Sequence, residues 1–443
     1  MPANRASLWA LAVIVVSMVV GAGAVALTVG GPDHRDTDQI GPDGDGGTVA
    51  WTIDTRNGTR DAWVVGGTAV ILDGESLLGL NAADGARRWQ LPYPGDDITL
   101  TVAGGMAVVQ RGPDGPVDVI EPATGRVAWS TKDPALMVAR QDALYLDSCP
   151  DRREPAGSCV TSGRRVTDGT TLWSATNPGF SLRSDVIGGR RPLAPAATAY
   201  LPVTTSSGGA LLDTASGRVL PGRVEAAGWY LVAAGDTVAA TYHDPPRGDQ
   251  NCTVTVDAVR ARTGKPAWKG TLHSGRRADG ECHKRLSEGW SGTVMLGSGT
   301  DVAAVTRNGR TTLTDLTTGK VRWTTDEPGV PIAGDDRHLL VRDNAETGPV
   351  SLLDMTDGRR LWTAPDPGLP GTSASWESAV AGKLVAVMGA TGDRPYVLVF
   401  DATTGKQLAR RGGWLTALGD DWVMVSTGAG AKAGHLKQHM LTF

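Results

Sequence analysis

The sequence predicts an all-β fold, an eight-bladed β-propeller preceded by an N-terminal transmembrane helix. Three observations carry that expectation. A short motif returns eight times, the chain between copies reads as strand, turn, strand, and no amphipathic helix of 12 residues occurs after residue 47.

The motif is an apolar strand, a tight reversal ending in Gly, and a second strand bearing Trp. Its copies are LLGLNAADGARRW, VDVIEPATGRVAW, TSGRRVTDGTTLW, ALLDTASGRVLP, DAVRARTGKPAW, TLTDLTTGKVRW, SLLDMTDGRRLW and LVFDATTGKQLA. Their glycines are Gly85, Gly125, Gly169, Gly217, Gly264, Gly319, Gly358 and Gly405, spaced by 40, 44, 48, 47, 55, 39 and 47 residues. A period near 45 suits a four-stranded propeller blade. Gly takes the positive-φ position of the reversal at little steric cost. Asp213, Asp315, Asp354 and Asp401 stand four residues before their Gly, where a carboxylate can accept turn N–H groups. Trp follows four residues after Gly in six copies, as Trp89, Trp129, Trp173, Trp268, Trp323 and Trp362; Pro221 and Ala409 take its place in the other two. An indole recurring on the outer strand is expected to wedge against the next blade.

Each blade is thus expected to hold an inner strand pair followed by the motif hairpin. His435–Phe443 reads as a further third strand, and Val49–Asp54, carrying Trp51, as its outer partner. That pairing would close the ring through the two termini. Counted strictly, the strands make nine sets, so eight blades are expected with nine possible; the copy at Ala210–Pro221 is the one least able to form a full blade.

Composition agrees with this reading. The 443 residues include 59 Gly and 26 Pro, enough for many tight turns, and 14 Trp against 3 Phe and 6 Tyr. Hydrophobic residues at 40% exclude wholesale disorder. A net charge of -4 without a dense Lys/Arg cluster argues against a nucleic-acid partner. The Arg-, Ala- and Gly-rich composition resembles GC-rich bacterial coding.

From Leu8 to Val29 there are 22 residues without charge, long enough as a helix to cross a bilayer core of about 30 Å. Arg5 precedes the run and several Asp follow it, which places the N-terminus in the cytoplasm and the rest outside the cell. A cleaved signal peptide with a site near Ala22-Gly23-Ala24 is the rival reading. The expected organisation is a cytoplasmic stub (1–7), a membrane helix (8–29), a Gly/Pro/Asp-rich linker (30–47) and a propeller (48–443).

Cys149, Cys159, Cys252 and Cys282 all follow the apolar run, and an even count in an exported domain points to disulfides. Cys149 ends one strand-like stretch and Cys159 begins the next, which favours 149–159 and leaves 252–282 by elimination. No zinc spacing is present, and no metal site is expected.

VFDATTGKQL, LTDLTTGKVRW and VIEPATGRVAW resemble the pyrroloquinoline-quinone-type, or quinoprotein-like, propeller repeat, roughly L-D-A-x-T-G-x-x-x-W. The resemblance covers about residues 48–443 and implies the fold. The family includes quinone (PQQ)-dependent dehydrogenases and non-catalytic scaffolds, such as an outer-membrane assembly lipoprotein. The dehydrogenase members carry adjacent cysteines and a Ca²⁺-holding set of acidic and amide residues. Neither pattern stands out here.

The functional expectation is a membrane-anchored extracytoplasmic propeller that binds a protein or cell-envelope ligand, without a catalytic residue or a cofactor. The alternative is a PQQ- and calcium-dependent dehydrogenase, with Trp63, Trp229, Trp290 and Trp414 around the channel mouth. Arg152–Arg153, Arg164–Arg165, Arg190–Arg191 and Arg276–Arg277 are candidates for contact with acidic envelope polymers.

Overall fold

The computed structural model describes residues 47–56, 62–94, 98–112, 115–132, 136–148, 159–176, 179–182, 199–225, 230–244, 251–276, 294–296, 302–307, 309–343, 348–368, 378–391, 394–428 and 435–443. The N-terminal membrane helix and, but for Gly47, the linker expected from the sequence lie outside these residues. Among the described residues no helix is long and apolar enough to cross a membrane.

Among the described residues, thirty-five strands form eight sheets, antiparallel but for one pair: six of four strands, one of three and one of eight. The eight-stranded sheet contains two motif-bearing runs, Tyr230–Arg276 and Val294–Pro328, joined by one parallel pair, Ser274 with Arg307. Within each run the strands follow chain order, so the first strand is innermost and the motif hairpin outermost. One sheet breaks the order: Thr48–Arg56 pairs with His435–Thr442 in a register that sets Trp51 opposite Met440. The first and last strands of the domain therefore share one sheet.

The sheets form a closed propeller ring. Inner strand Trp414–Leu418 contacts Ala62–Val65, which contacts Ile98–Ala103. Contacts between neighbouring sheets continue through every later sheet and return to Trp414–Leu418. Each junction is filled by apolar side chains of both sheets. At one, Ile332, Val350 and Trp362 pack with Val385, Val387 and Phe400; at another, Trp51 and Met424 pack with Ala69, Ile71 and Leu80. Strands in these positions are buried on both faces, which is why Thr68–Asp73 and Met106–Arg111 read as apolar runs rather than alternating ones. Outer strands alternate instead, as Val321–Pro328 does.

The sheet at Phe180–Leu182, Tyr200–Thr205 and Gly208–Asp213 has three strands. Its outer edge is completed only by isolated bridges, Gly209 with Val224 and Leu212 with Val219. This is the copy in which Pro221 replaces Trp. Proline has no N–H for a ladder, so a regular fourth strand stops there.

Candidate functional site

Because strands alternate in direction, the ring has two unlike faces. One carries the motif turns and the short turns between first and second strands. The other carries the connections from second to third strand and from one sheet to the next.

On the motif face the sequence-predicted residues form a relay between sheets. Trp51 Nε1 donates to Ala82 O (2.9 Å), Trp89 to Pro122 O (2.6 Å), Trp129 to Val166 O (2.6 Å) and Trp173 to Thr214 O (2.8 Å). Trp268 reaches Leu316 O (2.7 Å), Trp323 Met355 O (3.0 Å) and Trp362 Ala402 O (2.9 Å). Each acceptor lies in the next motif turn along the ring, which for Trp268 is that of the second run of the eight-stranded sheet. The same indoles cover the motif glycines. A Cβ built at Gly85, Gly125, Gly169, Gly217, Gly319, Gly358 or Gly405 would lie 2.5–2.8 Å from the preceding sheet's Trp. All seven have φ between 68° and 74°. Glycine is thus required twice over, by backbone conformation and by contact.

Two junctions lack an indole. After Pro221, the Gly222 N–H donates to Ala261 O (2.7 Å), and Gly264 faces only the Cα of Gly222. After Ala409, its methyl faces Gly47, where a Cβ would lie 3.4 Å away. Gly47 and Trp51 are therefore a seventh Gly-x-x-x-Trp, in a ninth motif position. The spacing was present in the sequence, but the strand that normally precedes it is at the opposite end of the chain.

The turn carboxylates act as expected from their chemistry. Asp315 accepts from Thr317 N (2.9 Å), Thr318 N (3.0 Å), Thr317 Oγ1 (2.6 Å) and Arg322 Nη2 (2.9 Å). Asp401 accepts from Thr403 N, Thr404 N and Thr404 Oγ1, Asp213 from Ala215 N, Ser216 N and Ser216 Oγ, and Asp354 from Thr356 N. Partial burial pushes the Asp315 carboxyl up, but the Thr317 hydroxyl, the Arg322 guanidinium and the two turn N–H groups outweigh it and hold the group well below the usual carboxylate range. A depressed pKa gives stability that is present above the unfolded value near 4 and lost as pH falls towards the folded one. Asp315→Asn is expected to cost about 1 kcal/mol at pH 7. The difference from wild type should shrink in urea melts at pH 2–3, and a pH-independent difference would remove this account.

The other face holds buried polar groups at strand ends. Asp118, 5% exposed, accepts from Tyr93 Oη (3.0 Å), Arg111 Nη2 (2.8 Å) and Ser130 Oγ (2.5 Å). Burial, then the Asp118 charge and hydrogen bond, raise the Tyr93 phenol well above its ordinary value, so it stays a donor. His439 is buried between Thr52 Oγ1 (2.9 Å) and Thr427 Oγ1 (2.8 Å), with Arg411 Nη2 at 3.2 Å.

His273 is buried at a sheet junction and hydrogen-bonds Thr306 O through Nδ1. Desolvation lowers its pKa to about 4, although the Thr306 carbonyl works against the shift. Between pH 6.5 and about 4 the unfolded chain takes up a proton that the folded imidazole refuses, so stability falls as pH falls across that window. The slope from this group is at most about 1.4 kcal/mol per pH unit. His273→Gln is expected to flatten stability-versus-pH curves there; an unchanged slope would assign it to other groups.

Of the four channel-mouth tryptophans, Trp63 is half-buried and donates to Leu100 O (3.1 Å) on the next inner strand, while Trp414 is 43% exposed. Trp229 and Trp290 lie outside the described residues, as do Cys149 and Cys282. Cys252 lies on the strand Asn251–Arg260. Cys159 immediately precedes Val160–Arg165 and is disulfide-bonded. Of the predicted arginine pairs, only Arg164–Arg165 lies wholly within the described residues, and Arg165 pairs with Asp168 (3.1 Å). A calcium ion beside a quinone needs several convergent donors. Among the described residues no group of three or more His, Cys, Asp or Glu side chains is placed to hold a metal ion.

A family profile described as outer membrane protein assembly factor BamB matches residues 39–151 and 253–413, more than half of the chain. The chain belongs to this BamB-type, PQQ-like β-propeller family. The unmatched stretch contains the three-stranded sheet and the Pro221 copy, where the repeat is weakest. Among solved structures, BamB from Moraxella catarrhalis is 13% identical, with 90% of this chain and 100% of that chain covered and a TM-score of 0.39. A europium-containing methanol dehydrogenase is 14% identical, covering 90% and 93%, with a TM-score of 0.40. The dihydro-heme d1 dehydrogenase NirN is 13% identical, covering 83% and 79%, with a TM-score of 0.40. No curated protein matches the sequence.

Proposed function

We propose that this BamB-family chain is a binding or scaffold module for a protein or cell-envelope partner, held outside the cell by the apolar segment Leu8–Val29. The observation that carries the reading is the asymmetry of the ring. One face is made of short, internally bonded motif turns. The other gathers the connections between sheets on a rigid frame, the usual arrangement of a recognition surface. The family profile is that of an assembly factor, which agrees.

The ring is read as nine-bladed rather than eight. Nine strand sets, nine apolar clusters among the described residues and the further Gly-x-x-x-Trp at Gly47–Trp51 support the larger count. The cysteine pairing proposed is Cys149–Cys159 and Cys252–Cys282. Ser148 and Val160 are register partners, and Cys159 immediately precedes Val160.

Crosslinking and affinity capture with the full-length protein in its own membrane test the function. Recovery of one specific envelope partner is the expected result. A fractionation that finds the chain in the cytoplasm, or a purified domain that takes up PQQ with Ca²⁺ and reduces a dye, would replace this reading with another.

A further inference from the structure

Several arginines of the ring are ion-paired. Arg111 pairs with Asp118, Arg126 with Glu121, Arg260 with Asp236, Arg322 with Asp315, and Arg360 with Glu327. Arg307 and Arg310 are singled out by their register. They stand directly opposite each other at the end of the hairpin formed by Val302–Arg307 and Arg310–Asp315. Like charges in that position repel. Among the described residues neither has an ion-pair partner.

Both line an open cavity of about 480 Å³ together with Thr312, Val321 and Thr324. The register explains their convergence. Thr312 faces Thr324 across the sheet, with hydroxyls 3.2 Å apart, while Leu313 and Trp323 point the other way, where Trp323 docks on Met355 of the next sheet. The cavity therefore opens towards the preceding run, whose outer strand Pro266–Arg276 pairs with Arg307 through Ser274. That parallel register brings the backbone of the Arg276 position alongside the tip of the hairpin.

We propose that this cleft binds a phosphate group of an anionic ligand. Two guanidinium groups supply a charge of +2, matched by a phosphate dianion better than by a single carboxylate, and they present planar donors for its oxygens. The two threonine hydroxyls add donors. Val321, 44% exposed, gives an apolar wall for the group that bears the phosphate. The volume suits a small molecule or one unit of a polymer. The inference deepens the reading of the ring as a binding module and names a site and a ligand class for it.

The test is titration calorimetry on the full-length protein with three probes: inorganic phosphate, glycerol 3-phosphate and long-chain polyphosphate. Saturable binding of at least one probe is expected. It should weaken about 30-fold or more in R307Q/R310Q and remain unchanged in R126Q, whose arginine is already paired on the motif face. Tight binding of polyphosphate alone identifies a polymer; equal binding of the small probes identifies a free phosphate ester; either result supports the site. No saturable binding, or equal binding by wild type and R307Q/R310Q with matching melting curves, overturns it. If R307Q/R310Q also retains the captured partner while wild type binds no phosphate, the cleft fails and the scaffold reading stands.

Discussion

Trp362→Ala is expected to lower stability by about 3–5 kcal/mol, read as a reduced urea midpoint at unchanged slope. The indole is 9% exposed and belongs to the cluster shared by the sheets at Val330–Ala364 and Ala379–Gly412. Its ring lies 5.4 Å from the Phe400 centroid, and its N–H is bonded to Ala402 O at 2.9 Å. Truncation removes all three interactions at once: buried area, ring contact and a donor. The neighbouring turn would then lose the surface on which Gly405 rests. A change below about 1 kcal/mol would mean that the indole fills space without joining the sheets.

Gly405→Ala is expected to cost about 2–5 kcal/mol, from two separable sources. With φ at 69°, any L side chain is strained by about 1–2 kcal/mol. The new Cβ would also lie 2.6 Å from Trp362 Cγ, an overpacking that costs about 1–3 kcal/mol more. The two sources are told apart by a double-mutant cycle. In a Trp362→Ala background the collision is gone and only the backbone strain remains. The cost of Gly405→Ala should therefore fall by about half or more, a coupling within the range seen for residues in contact. Strict additivity would show that the alanine methyl never meets the indole.

How far this molecule could be read from its residues depends on the length scale of the signal. The motif hairpins were legible because every part of them is local. Asp315, Gly319 and Trp323 lie within nine positions, and each has a geometric reason for its place. The closing pair Thr48–Arg56 with His435–Thr442 was legible only by elimination, as one strand lacking a partner at each end. The Gly-x-x-x-Trp at Gly47–Trp51 is hard to read for the same reason: the strand that pairs with Thr48–Arg56 is His435–Thr442, at the far end of the sequence. The residues of the proposed phosphate cleft left weaker traces. Arg307 and Arg310 are unremarkable in sequence, two among 43 basic residues. Only the cross-strand register puts them opposite one another, and only the lack of a paired carboxylate sets them apart from Arg322 or Arg260.

The junction of the chain ends has a consequence for biogenesis. During synthesis Thr48–Arg56 is made first, but its ladder partner His435–Thr442 is made last. The earliest strand must therefore wait, with its edge unpaired, until nearly four hundred further residues have emerged. Sheets formed in between can complete themselves one by one from local contacts, whereas sealing the circle is a single late event of long sequence separation. Loss of the final eight or nine residues would leave a nascent protein with almost every sheet made and no means of shutting.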